Sequence, residues 1–166
     1  MPRVNSVFLS PAIRFVATIN ADHTGRPISP RVLDRAAVVD IALEPRQALA
    51  ALGVELDTDQ LSALDEIDFL LRDKGATFSL RTAKSLKQCH EKRAELGLDT
   101  WGTLDLVLLQ ELLSKVRLLA VDPTDQQLVA KLVEWSDGAG QKLVQCSREI
   151  ETWRDLLQAN RDVQKV

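Results

Sequence analysis

Two side chains in the stretch FVATINADHTGRPISPRVLDRA, residues 15–36, are of types that phosphoryl chemistry uses. Asn20 follows a mostly β-branched and aromatic run, Phe15 to Ile19, so a strand would deliver a polar amide at its carboxyl end. Arg35 follows Asp34 and directly precedes a second apolar run, Ala36 to Ile41. In open α/β sheets ligands bind at the carboxyl ends of strands. A positioned guanidinium is a common means of stabilising phosphoryl charge. Each residue also has a plainer reading. Asn20 could simply end a strand and open a turn, and Arg35 could be a surface arginine paired with Asp34. Arg31, four positions earlier, is an internal rival on nearly the same helical face. Asp22 reads as an Asx-turn residue rather than a catalytic one.

The rest of a nucleotide site is not in this stretch. No Gly is followed by Lys anywhere in the chain, so the phosphate-binding loop GxxxxGK[ST] is absent. Leu61-Ser-Ala-Leu-Asp65-Glu66 has the form of a magnesium-holding acidic strand. The apolar positions 61, 64, 67 and 71 have helical spacing, however, so its carboxylates read as solvated charges on an amphipathic helix. There is no CxxC and no HExxH, and His23 and His90 are isolated, so no metal site is expected. Cys89 and Cys146 read as two reduced thiols. With no signal peptide and no long apolar span, a cytoplasmic protein without membrane contact is expected.

Charge points the same way. The net charge is −3, and there are three Trp, four Phe and no Tyr, too few aromatics for a base-stacking platform. Residues 1–50 hold six Arg, no Lys and four acids, whereas the remaining 116 hold 15 basic and 20 acidic residues. Arginine suits bidentate phosphate contacts, but nothing here forms a DNA-reading surface, and direct DNA binding is not expected.

The elements that must position these groups fall into two kinds. Arg14–Ile19 and Ala37–Leu43 are strand candidates, each bounded by turn chemistry. After Pro45 the pattern becomes helical and stays so. One helix is expected from Asp57 or Thr58 to about Lys74, with Gly75 as its stop. Others run from Ser79 to Gly97, from about Thr103 to Leu118, and from Asp122-Pro123 to Gly138. The last, about Gln141 to Arg161, spaces Leu143, Cys146, Ile150, Trp153 and Leu157 by 3, 4, 3, 4. That seam suits docking onto an adjacent helix or onto a partner helix.

Phe15-Val-Ala-Thr-Ile-Asn20, followed by Asp22, Thr24, Ser29-Pro30 and Leu33-Asp34-Arg35-Ala36, resembles the sensor 1 to arginine-finger region of AAA+ ATPases, and in particular of their McrB-like branch. Thr77-Phe-Ser-Leu-Arg81-Thr-Ala-Lys84 is similar to the lid helix that bears the sensor 2 arginine. Leu104-Asp105, Leu109-Gln110 and Lys115 are similar to a later lid segment. The likeness runs from about residue 12 to 118 with three motifs in order. It implies a mainly α chain: a remnant of an AAA+ α/β core with two short strands over residues 1–45, a helical lid over 46–121, and a C-terminal helical extension over 122–166. It implies that Asn20 orients the attacking water, that Arg35 reaches into the neighbouring subunit's site, and that Arg81 contacts the nucleotide from the lid.

ATP or GTP with magnesium is then expected only in a completed assembly, and none on the chain alone. The partners implied are an N-terminal AAA+ half or homologous subunits in a ring, with a nuclease partner in a DNA restriction or defence system by family analogy. Two other readings stand beside this one: a non-catalytic helical protein docking on an intact ring, and a truncated reading frame with no function of its own. The first 45 residues are expected to be poorly stabilised alone, because an apolar strand without neighbours leaves its backbone groups unpaired. The helices from 57 onward are expected to fold.

Overall fold

Asp57 illustrates how several helices among the described residues begin. Its Oδ1 accepts the Gln60 N–H at 2.8 Å while the Gln60 side chain accepts the Asp57 N–H at 3.1 Å, a reciprocal cap just ahead of an apolar-periodic run. The computed structural model describes residues 10, 12–14, 16, 29–39, 43–119 and 121–163. Among them the protein is mainly α-helical: seven α-helices, two short 3-10 helices and no strand.

The chain divides into two units, Met1–Val38 and Val39–Val166. In the first, Pro30 opens a single helical turn, α1 (Pro30–Leu33), and Asp34 N–H closes it on the Pro30 carbonyl at 2.9 Å. Every residue of this unit whose side chain is described is exposed, including Val16 at 93% and Val38 at 65%. The expected strand Arg14–Ile19 lies largely outside the described residues. Those that are described, Arg14 and Val16, are not in a strand, nor are Ala37–Val39 and Leu43 of the second expected strand.

The second unit is a bundle of α2 (Pro45–Leu52), α3 (Thr58–Leu71), α4 (Leu80–Glu91), α5 (Thr100–Glu111), α6 (Pro123–Asp137) and α7 (Val144–Val163), with 3-10 turns at Arg72–Lys74 and Leu113–Lys115. Helix α2 was not among the named helical expectations. Helix α3 and its 3-10 tail stop at Gly75, which takes φ +67° as expected of a glycine ending a helix. Helix α4 ends at Glu91, earlier than Gly97, because the chain passes into turns over 92–97. Helix α5 starts at Thr100 rather than Thr103, since the Asp99 carboxylate accepts the Gly102 N–H at 2.6 Å. Asp122 opens α6 as expected, and its carboxyl is held below the usual range by bonds from the Thr124 hydroxyl and N–H.

The bundle packs α7 on α5 and α6, α4 on α2 and α5, and α3 on α6. Leu64, Ile67 and Leu71 of α3, Leu86 of α4, Leu104 and Leu108 of α5, Leu132 of α6 and Ile150 of α7 are fully buried in one core. Each such side chain contributes on the order of 1.5–3 kcal/mol through burial. Helices α6 and α7 share this core with α2–α5, all within the second unit. No helix among the described residues is long and apolar enough to cross a membrane.

Candidate functional site

Of the three residues singled out in the sequence, Asn20 lies outside the described residues, as do Asp22 and Thr24. Arg35 is placed just past α1, where its N–H donates to the Val32 carbonyl at 3.2 Å. Its side chain is exposed and makes no ion pair with Asp34 or with any other described residue. Arg31, within the same turn, is equally exposed. The turn therefore presents two guanidinium groups to solvent.

Arg81 belongs to the second unit and stands on a well-held base. Phe78 N–H donates to the buried Asp68 carboxylate at 2.5 Å. The next residue, Ser79, caps α4: its Oγ accepts the Thr82 N–H at 3.2 Å, and its own N–H reaches Thr82 Oγ1 at 3.4 Å. Thr82 and Ala83 are buried, which fixes the first turn and leaves Arg81 pointing outward, exposed and without a partner among the described residues. Lys84, three positions on, is exposed on the same face. A cation in the first turn of a helix opposes the macrodipole by about 0.3–1 kcal/mol, so the fold gains nothing electrostatically from Arg81. The arrangement can offer a rigidly based guanidinium, with a nearby ammonium, to an external anion.

Carboxylates behave in the opposite way. Asp105 of α5, 3% exposed, accepts the Gln145 N–H at 2.7 Å and the Cys146 N–H at 2.9 Å. It thereby caps the first turn of α7 from another helix. Asp125 of α6 accepts the Leu119 N–H at 2.7 Å and is ion-paired with Lys74. These buried acids went unnoticed in the sequence apart from Asp105, quoted for its likeness alone. Asp65 and Glu66 lie in α3, where Asp65 pairs with Arg46 at 2.7 Å and Glu66 accepts the Ser62 hydroxyl at 3.2 Å. They are therefore surface helix residues.

Among the described residues no group of three or more His, Cys, Asp or Glu is arranged to hold a metal ion. A polar cleft of about 260 Å³ opens between Asp59, Ser62, Trp101 and Lys142. Its charges pair with one another: Lys142 lies over the Trp101 ring at 4.8 Å and within 3.8 Å of Asp59. Arg81 lines neither this cleft nor the groove between α6 and α7. Burial, and then the neighbouring Asp105, push the Cys146 thiol far above its ordinary range, so it is a core residue and no nucleophile. Compared with protein-family models, curated proteins and solved structures, the chain matches none of them.

Proposed function

We propose that this chain acts as the sensor-and-lid part of an McrB-like AAA+ ATPase. The phosphate loop and magnesium-holding acids would come from another polypeptide or from another part of the same protein. In this reading Asn20 orients the attacking water, Arg35 acts in trans on the neighbouring subunit, and Arg81 reads the nucleotide from the helical unit. The segments Arg14–Ile19 and Ala37–Leu43 become strands once a sheet is supplied. ATP or GTP binds with magnesium only in the completed ring, which would drive a nuclease partner in DNA restriction or defence.

The observation that carries the reading is the state of the two arginines. Arg35 and Arg81 are both exposed and without counterions among the described residues, and Arg81 sits where the helix dipole disfavours a cation. Neither position is explained by stability. The order of the three sequence motifs supports the same assignment.

Co-expression with an AAA+ core polypeptide that carries the missing phosphate loop tests it. The complex should hydrolyse ATP or GTP, and Arg35→Ala should lower the rate by roughly 10³-fold or more without dispersing the complex. Arg81→Ala should weaken nucleotide binding. A complex that forms and hydrolyses at an unchanged rate with Arg35→Ala would make the chain a non-catalytic docking module.

A further inference from the structure

We draw no further inference here: the strongest candidate, the apolar groove of about 400 Å³ between α6 and α7 lined by Val129, Val133 and Leu157, is an unpartnered face, and nothing in the structure shows what covers it.

Discussion

Replacing Asp105 by Asn keeps the shape of the side chain and removes its capacity to cap α7. The residue before α7, Leu143, is fully buried in the core and has no polar side chain, so it cannot cap the helix itself. The orphan N–H groups of the first turn are instead met by Asp105, at 2.7 Å for Gln145 and 2.9 Å for Cys146. An amide can accept only one of these bonds, and its NH₂ then confronts the other donor. Leaving a buried donor unpaired costs about 1–3 kcal/mol, and losing the negative charge at a helix N-terminus adds about 0.5–2 kcal/mol. Relief from desolving a carboxylate offsets part of this. A net loss of about 3 kcal/mol follows, roughly a 10 °C fall in midpoint for a chain of this size. Urea denaturation of wild type, Asp105→Asn and the half-buried control Asp65→Asn, whose surface ion pair with Arg46 is worth little, would measure it, the control changing stability by less than about 1 kcal/mol. Amide exchange should accelerate first at Gln145 and Cys146. A loss below about 1 kcal/mol with both amides still protected would refute the capping argument.

Gly140 faces the Trp135 indole so closely that an added Cβ would lie 2.9 Å from the ring, while that indole donates to the Ala63 carbonyl at 3.0 Å. Gly140→Ala should therefore cost about 1–3 kcal/mol and shift Trp fluorescence; an unchanged melting curve would contradict this. Lys74→Met strands the Asp125 carboxylate, whose side chain is 1% exposed, and should cost about 3–5 kcal/mol in urea unfolding. Adding Asp125→Asn should recover part of that loss, and no recovery would count against the pairing. Burial, and then Asp105, raise the Cys146 thiol above its ordinary 9.0, so the unfolded chain releases this proton at lower pH than the folded one. The stability it confers is complete below pH 9.0 and is lost as pH rises further, at up to about 1.4 kcal/mol per pH unit. The stability gap between wild type and Cys146→Ala should narrow accordingly in alkaline urea titrations, and a gap independent of pH would rule the effect out.

Local end chemistry made some helices readable in advance, though the equally local Asp99 cap of α5 and the Glu44–Gln47 box of α2 were missed. Asp57 and Gly75 bracket α3 with its 3-10 tail, and Asp122-Pro123 and Gly138 bracket α6, because a cap acts within one turn of the residues it bounds. Helix α7 begins later than expected, at Val144, because its cap comes from Asp105, 40 residues away. No local pattern announces such a bond. Asp105, set in the run Leu104-Asp105-Leu106-Val107-Leu108, looks like a polar interruption until α7 is laid beside it. The exposure of Arg35 and Arg81 was likewise not decidable from spacing, since Asp34 offered Arg35 an adjacent partner that it does not use.

Acids and arginines thus divide the labour of the fold differently. Asp68, Asp105 and Asp125 are buried and tie loop or helix-end N–H groups to helices, Asp105 across 40 residues and Asp125 to the segment just before its own helix. Asp68 does this for Phe78, two residues before the first turned residue of α4 and three before Arg81. The backbone under Arg81 is consequently held by α3 as well as by its own Ser79 cap, so the guanidinium rotates on a base that cannot shift freely. A site that detects an anion benefits from such a base, because less ordering entropy is lost on binding. The link from Asp68 through Phe78 and Ser79 holds the backbone from which the exposed Arg81 side chain projects.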